Sequence, residues 1–140
     1  MEVREIDLGP RPTPAADDFG AAFWTAAAEG RLLIQHCPAC GHRQHYPRAL
    51  CTECGATPEW EEASGRGTVH TYTVIRQNGA QPFRDELPYV VAVIDLEERP
   101  RMMSNLTGCS PAEVRIGMEV VAYAVPIGEG IALPFWEPAP

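Results

Sequence analysis

Apolar residues in the C-terminal half of the chain alternate with polar ones or form short runs, as they do in β-strands. Five segments follow this pattern. They are 68–76 (TVHTYTVIR), which is rich in β-branched and aromatic residues, 89–96 (YVVAVIDL), which is nearly all apolar, a shorter run at 101–106, and 117–125 (GMEVVAYAV) and 131–136 (IALPFW). Between the third and fourth, Ser110 could cap a short helical turn that has Pro111 at its first position. Five strands with a small helix after the third are the layout of an OB-type barrel, so the pattern predicts a mainly β fold containing one.

The hydrophobic period changes to that of a helix near the N-terminus. Phe19, Phe23, Trp24 and Ala27 recur at three- and four-residue spacing within residues 17–29, with an Asp-Asp pair before them and Gly30 after them. Two interpretations stay open. The aromatic rings could pack on the body of the same chain. Alternatively, they could form a partner-binding face, because so short a helix is marginal alone and its aromatic face is large for a small protein.

The first 17 residues show no hydrophobic period. They contain Pro10, Pro12 and Pro14 among charges of both signs, which is typical of an extended arm. A disordered tail is the first interpretation of this arm, and an arm that packs on a partner subunit is the second.

The clearest chemical signal lies between the helix and the barrel. A short strand, 31–36 (RLLIQH), leads into two C-x2-C pairs separated by ten residues, which supply Cys37, Cys40, Cys51 and Cys54. Two residues between paired cysteines let one tight turn aim both sulfurs at a single ion, and two such turns complete the tetrahedron that zinc prefers. Gly41 and Gly55 follow the two pairs, where a sharp turn favours a residue that adopts positive φ freely.

Other interpretations of these cysteines are weaker. A disulfide framework suits a small secreted chain, but this sequence begins with no apolar signal segment and would leave Cys109 over. Rubredoxin-type iron uses the same ligands and geometry, so the spacing leaves it open. His36, His42 or His45 could in principle supply a ligand, although four cysteines suffice. Because protein occupies all four positions, we predict a structural Zn²⁺ that supplies folding energy.

The length and composition of the chain fit a small metal-stabilised module joined to a compact β domain. The chain has 140 residues, of which 45% are hydrophobic and 21% charged. We predict an arm and docking helix over 1–30, a zinc ribbon over 31–62 and an OB-fold domain over 63–140. No apolar run is long enough to span a bilayer, so we expect a cytoplasmic protein with no membrane partner.

The charge balance narrows the function classes. The net charge is −8, whereas nucleic-acid binders usually carry a basic face. All 11 basic residues are arginines. The absence of lysine excludes Schiff-base chemistry supplied by this sequence, because that chemistry needs a lysine amine.

One loop is a further candidate for a binding site. Residues 77–88 (QNGAQPFRDELP), between the first two barrel strands, are long for a hairpin connection and contain Phe83 next to Arg84. An arginine beside an exposed aromatic ring suits an anionic ligand or an acidic partner face. A merely variable surface loop is the competing interpretation.

The order of these parts resembles a known family. GRLLIQHCPACG, YPR, CTECG, Trp60, SGRGTVHTYTV, LPYVVAVIDL and IGMEVV follow the aromatic helix in turn. This order is similar to that of the rubredoxin-like zinc-ribbon plus OB-fold proteins associated with acyl-CoA metabolism, once known as the domain of unknown function 35 family. The resemblance covers residues 19–136. The chain departs from it at His45-Tyr46, where members often have an aromatic-proline pair.

The resemblance implies a function. Such proteins are generally non-catalytic accessory subunits or fused domains that bind thiolase-like enzymes, including acetoacetyl-CoA thiolase assemblies and the thiolase-fold lyases of steroid side-chain breakdown. It therefore implies that the helix with Phe19, Phe23 and Trp24 docks on the enzyme together with the ribbon. It also implies that the OB face, with Phe83 and Arg84 as possible contacts, borders a CoA-thioester channel.

Two alternatives from other classes remain. An OB-fold protein can bind single-stranded nucleic acid, although the acidic balance here opposes that. An independent enzyme would use Cys109 as its nucleophile, but no basic neighbour in sequence lowers the pKa of this thiol. The sequence contains no Ser/His/Asp pattern and no carboxylate pair of evident spacing.

Overall fold

The computed structural model describes residues 1–15 and 17–140; Ala16, which falls within the predicted arm, lies outside the described residues. The fold is mainly β, as predicted. In chain order its elements are β1 (Glu2–Val3), α1 (Ala21–Ala28), β2 (Leu32–His36), β3 (Arg43–Gln44), β4 (Glu59–Ala63), β5 (Arg66–Ile75), β6 (Tyr89–Leu96), β7 (Arg101–Leu106), β8 (Glu119–Gly128) and β9 (Ile131–Pro138). No helix in the described ranges has the length and apolar character needed to cross a bilayer.

The last five strands close into a barrel of the OB type, which confirms the predicted architecture. β5, β6 and β7 form an antiparallel meander, and β8 and β9 form a long hairpin. Two further pairings close the barrel: β5 with β8, and β7 with β9 at Leu106↔Trp136. β6 and β7 have the predicted bounds. β8 and β9 end later than predicted, because each extends the ladder of the other to Gly128 and Pro138. β8 also begins later than the predicted residue 117, at Glu119.

The barrel interior follows from the alternation along its strands. In β6, the buried residues are Val90, Ala92, Ile94 and Leu96, and the residues between them are half-buried. Trp136 of β9 is fully buried among them. Burial of an apolar side chain of this kind contributes about 1.5–3 kcal/mol, so the barrel is the main hydrophobic core.

The expected small helix after the third barrel strand does not form. Residues 111–113 make a single turn instead. Ser110 still acts as a cap, because its hydroxyl accepts a hydrogen bond from the N–H of Ala112 (3.3 Å) and its own N–H donates to a carboxylate oxygen of Glu113 (2.7 Å). The reciprocal cap therefore begins a single turn that does not continue into a helix.

Helix α1 is shorter than the predicted 17–29. Asp17 uses one carboxylate oxygen to accept hydrogen bonds from the N–H groups of Phe19 (3.1 Å) and Gly20 (2.5 Å), which holds this segment in a turn before the helix begins at Ala21. The inward face of α1 carries Phe23, Ala26 and Ala27, all buried, and it packs mainly on β9 and β2. The helix is therefore part of the chain's own core.

The prediction that the N-terminal arm is a disordered tail is wrong for the part of the arm that the structure describes. β1 pairs with β8 in parallel, and the N–H of Arg4 continues that pairing by donating to the carbonyl of Ala124 (2.8 Å). Arg11 is ion-paired to Glu86, and its side chain is only 6% exposed. The arm is extended as predicted, but it is fixed to the barrel of its own chain.

The ribbon contains a second sheet of order β3-β2-β4. β2 pairs with β4 from Leu32↔Ala63 to His36↔Glu59, and with β3 at Gln35↔Gln44. The strand β4 (EWEEA) was not predicted, because three glutamates in five residues oppose the usual composition of a strand. Pairing with β2 offsets that preference and places both knuckles at one end of the sheet.

Candidate metal centre and its surroundings

The four predicted cysteines converge into one cluster. Their Sγ atoms all lie within 4.8 Å of one another. Cys37 and Cys54 are 3.5 Å apart, and Cys40 and Cys51 are 3.7 Å apart. A tetrahedral site with metal–sulfur bonds of 2.3 Å has sulfur–sulfur edges of about 3.8 Å. The donor set and spacing therefore fit a four-coordinate divalent metal held entirely by protein.

The two knuckles repeat the same hydrogen bonds. The N–H of Gly41 donates to the carbonyl of Cys37 (2.8 Å), and the N–H of Gly55 donates to that of Cys51 (2.9 Å). Both glycines adopt positive φ, +77° and +75°. The sequence-based explanation for these two glycines is confirmed: each turn requires a left-handed residue behind its second cysteine.

Backbone N–H groups are directed at the sulfurs. The N–H groups of Cys54 and Glu53 lower the pKa of the Cys51 thiol to about 6. The N–H groups of His42 and Ala56 act in the same direction on Cys40 and Cys54.

For Cys40 and Cys54 the neighbouring thiols and burial outweigh this effect and raise the pKa, because closely spaced thiolates repel one another. A divalent cation would remove that repulsion and stabilise all four thiolates.

A pair of buried glutamines connects the two knuckles. Gln44 donates its amide N–H to the side-chain oxygen of Gln35 (2.8 Å), which also accepts the N–H of Arg48 (2.8 Å). The side-chain oxygen of Gln44 accepts the N–H of Thr52 (3.0 Å). These bonds fix the connector that leads into the second C-x2-C pair. The sequence analysis did not identify either glutamine, since only the register of β2 and β3 brings them together.

The nearby histidines stand apart from the sulfur cluster. Among the described residues, the group with metal-ligand geometry contains only the four cysteines. His42 places Nε2 3.1 Å from the hydroxyl of Thr52. His45 is enclosed between the rings of Phe23 and Tyr46, at centroid distances of 5.4 and 4.3 Å, and burial lowers its pKa to about 4. His45 is therefore a neutral packing residue at pH 7.

Cys109 does not resemble a nucleophile. Its side chain is half-buried against the barrel core. Burial, together with the nearby charge of Glu113, raises the pKa of the thiol. At neutral pH it is protonated, which fits an ordinary small packing residue.

The three predicted docking aromatics occupy different environments. Phe23 is 4% exposed and lies in the main core, as the same-chain interpretation expects. Trp24 is half-buried and meets Phe23 edge to face at 4.9 Å. Phe19 is 49% exposed. Of the three, Phe19 and Trp24 therefore retain surface for a partner.

An apolar cavity opens beside them. This cavity, which we call the socket, has a volume of about 230 Å³ and is lined chiefly by Phe23, Trp24, His45, Tyr46, Met103 and Pro134. Two of these lining residues are strongly exposed, Tyr46 at 51% and Met103 at 59%. The helix, the ribbon and the barrel each contribute to the socket, which is why no single stretch of sequence indicated it.

The long loop after β5 takes a partly different form from the one predicted. Phe83 begins a single 3₁₀ turn, Phe83–Glu86, and is half-buried beneath the guanidinium of Arg11 at 4.9 Å. The side chain of Arg84 is 60% exposed and lies 3.8 Å from the carboxylate of Asp85. Arg84 thus remains available to a ligand, whereas Phe83 is covered by the arm of its own chain.

Family models match the chain in both of its parts. A model of the ChsH2 rubredoxin-like zinc ribbon domain matches residues 24–61, and a model of the ChsH2 C-terminal OB-fold domain matches residues 60–125. Both descriptions agree with the geometry above.

This chain is similar in sequence to two relatives of different length. A DUF35 domain-containing scaffold protein of Methanocaldococcus jannaschii is 39% identical over 109 residues, which are 76% of this chain and 77% of that protein. A probable enoyl-CoA hydratase alpha subunit of Thermomonospora curvata is 38% identical over 131 residues, 92% of this chain. This chain spans only 40% of the length of that subunit.

The similarity extends to the three-dimensional structure of a solved protein. A chain of the Ltp2-ChsH2(DUF35) aldolase superposes with a TM-score of 0.82 at 36% identity, covering 91% of this chain and 100% of that one. The chain thus belongs to the DUF35 family, whose members join a rubredoxin-like zinc ribbon to an OB-fold domain.

Proposed function

We propose that this chain is a non-catalytic accessory subunit that binds and stabilises a thiolase-like acyl-CoA enzyme. The partner would be a thiolase or a retro-aldol lyase of steroid side-chain or other acyl-CoA degradation, in a cytoplasmic hetero-oligomer. The observation that carries the proposal is the socket, an apolar cavity with exposed apolar residues at its rim. The similarity to a chain of an aldolase assembly supports the class of partner.

The size of the socket favours a protein partner. Pockets for drug-sized ligands occupy roughly 300–1,000 Å³, and the socket at about 230 Å³ is smaller. A cavity of this size suits one large anchor side chain, and such anchors carry much of the energy of protein interfaces. Arg11 is the one charged residue among those that line it, and it is already paired to Glu86. A neutral apolar or aromatic anchor is therefore the expected occupant.

The metal would hold this surface in shape. We propose that the ion is Zn²⁺, bound by Cys37, Cys40, Cys51 and Cys54. The connector between the knuckles carries His45 and Tyr46, which line the socket. Zinc binding would therefore contribute to partner binding through folding, with no open coordination position for chemistry. Metal analysis of the purified protein distinguishes zinc from iron.

The loop after β5 is the proposed contact with acyl-CoA. Arg84 is exposed and could meet a phosphate of the CoA moiety beside the partner's active site. In the reconstituted complex, Arg84→Ala should raise KM for the acyl-CoA and leave kcat nearly unchanged. The exposed Arg115 lies in the segment between β7 and β8, so Arg115→Ala is the matched control.

The proposal is tested by reconstitution. The chain and a thiolase-like acyl-CoA enzyme would be purified separately and mixed, and complex formation and turnover measured. We expect a stable complex whose activity depends on this chain. An enzyme that is fully active without this chain would disprove the proposal.

Surface variants then locate the interface. Tyr46→Ser and Met103→Ser should weaken the complex at least tenfold without unfolding the chain, because both side chains are more than half exposed. Ile116 is also apolar and is 71% exposed, but it does not line the socket. Ile116→Ser is therefore a control, and an equal loss of binding for that variant would place the interface elsewhere.

A further inference from the structure

The N-terminal arm lies along a groove on the outer face of the β8–β9 hairpin. Tyr123 and Phe135 form the floor of this groove together with Val125, and Leu8 of the arm packs on them. With the arm in place Tyr123 is 5% exposed and Phe135 6%. Two large aromatic rings on the outside of the barrel are thus covered in part by the chain's own first residues.

Arginines of the arm alternate with aromatic rings of the barrel. The guanidinium of Arg4 lies 4.3 Å from the centroid of Tyr123, whose ring stacks on Phe135 at 5.7 Å. The guanidinium of Arg11 lies 5.9 Å from Phe135 and 4.9 Å from Phe83. Each arginine therefore makes cation–π contacts with the barrel side of the groove.

A carboxylate completes the site for each arginine. Arg4 donates two hydrogen bonds to Glu137, at 2.6 and 2.8 Å. Arg11 donates one to Glu86 at 2.5 Å, with its side chain 6% exposed. A carboxylate with an aromatic face is a specific receptor for a guanidinium, and lysine does not replace arginine in such a site. The groove thus has two arginine sites, which bind residues seven positions apart.

The groove is bordered by the loop between β5 and β6 and by the end of the β8–β9 hairpin. The arm contacts the loop between β5 and β6, because a Cβ atom on Gly9 would lie 3.0 Å from Cβ of Pro82. Residues 6–11 of the arm also line a surface pocket together with Pro126 and Ile127, next to the turn of the β8–β9 hairpin. In OB folds the corresponding two loops border the ligand-binding face.

The charges of the groove decide what it can bind. Its barrel side presents Glu86 and Glu137, which would repel the phosphates of a single-stranded nucleic acid. Backbone pairing to the arm is brief, since β1 contains only Glu2 and Val3. Selectivity therefore comes from side chains and favours an extended peptide that carries arginines.

We propose that this groove, formed by Phe83, Glu86, Tyr123, Phe135 and Glu137, is a binding site for an extended two-arginine segment. The arm is its resident occupant, and a segment of the same chemistry from another protein chain competes for it. Arg11 and Phe135 also line the socket, but the proposed binding of an arginine segment does not depend on the enzyme partner.

A peptide-binding experiment on the full-length chain tests the site. In Arg4→Ala/Arg11→Ala protein the arm loses both anchors, and a fluorescein-labelled peptide of residues 1–12 is added and followed by anisotropy. We expect this peptide to bind the double variant at least tenfold more tightly than it binds the wild-type chain, whose groove is filled. A peptide with alanine at both arginine positions should bind at least tenfold more weakly.

Three controls make every outcome decisive. Adding Glu86→Gln/Glu137→Gln to the double variant should abolish peptide binding while circular dichroism and bound metal stay unchanged. If the double variant does not fold, Arg11→Ala alone carries the same comparison. A fluorescein-labelled oligothymidylate of 12 nucleotides should not bind. Equal binding of the two peptides, no binding of either, or tighter binding of the oligonucleotide would overturn the proposal.

Discussion

Gly67 and Asp95 lie so close together that no side chain fits between them: a Cβ atom on Gly67 would be 2.6 Å from the carbonyl oxygen of Asp95. Gly67 belongs to β5 and is paired with Leu96, the residue after Asp95, in β6. The glycine therefore permits the close approach of the two strands at the point where the barrel begins.

The first prediction concerns this contact. Gly67→Ala should lower the free energy of unfolding by about 1–3 kcal/mol, because the added methyl group forces the strands apart. Gly79 has no atom within 4 Å of an added Cβ, so Gly79→Ala should leave stability nearly unchanged. Urea denaturation of both variants measures the difference, and similar losses would contradict the steric explanation.

The second prediction concerns the metal centre. Cys40→Ser removes one of four thiolates, and we expect it to reduce metal content, lower the melting temperature and weaken partner assembly together. Treatment with a chelator should have the same combined effect. Cys109→Ser is the control, and its metal content should equal that of the wild-type protein.

One outcome would refute the structural role of the metal. A Cys40→Ser protein that stayed folded and bound to its enzyme partner, but lost turnover, would show that the metal takes part in chemistry. Atomic absorption, thermal melting and a binding assay on the same preparation separate these cases.

The third prediction is a pH dependence that originates at His45. Burial lowers its pKa in the folded protein to about 4, from an ordinary 6.5. Below pH 6.5 the unfolded chain binds a proton that the folded chain excludes, so the stability contributed by neutral His45 is complete above pH 6.5 and is lost as the pH falls toward 4. The full loss is roughly 3 kcal/mol.

A matched variant isolates this effect from acid release of the metal. His45→Phe keeps an aromatic ring next to Phe23 and Tyr46 but cannot titrate. Its stability should fall less between pH 7 and pH 5 than that of the wild-type protein. Parallel curves for the two proteins in that interval would show that His45 does not cause the dependence.

The fourth prediction separates core from interface among the helix aromatics. Phe23 is 4% exposed, so Phe23→Ala should destabilise the chain by about 3–5 kcal/mol. Phe19 is 49% exposed, so Phe19→Ala should change stability by less than about 0.5 kcal/mol and weaken the proposed enzyme complex. Thermal unfolding and a titration with the partner enzyme are the two measurements. A stable complex with Phe19→Ala would remove this residue from the proposed interface.

Features whose chemistry is local could be predicted from the sequence alone. The spacing of Cys37, Cys40, Cys51 and Cys54 gave the metal site, because a C-x2-C turn aims two sulfurs at one point whatever surrounds it. β6 was predicted with its observed bounds because its run of valine and isoleucine residues is typical of a buried strand. β7 was predicted with its observed bounds as a shorter run that follows β6. The proposed domain boundaries at 30 and 62 remain predictions.

Features that depend on partners distant in sequence emerged from the folded structure. Arg11 meets Glu86 across 75 positions and Arg4 meets Glu137 across 133, so nothing in the composition of the arm indicated that it is fixed. β4 forms against its own propensity because β2 supplies the pairing. Phe19 and Phe23 share a helical pattern, yet one is exposed and the other buried. The hydrophobic periodicity of a segment indicates which of its residues share a face. What covers that face depends on the tertiary packing.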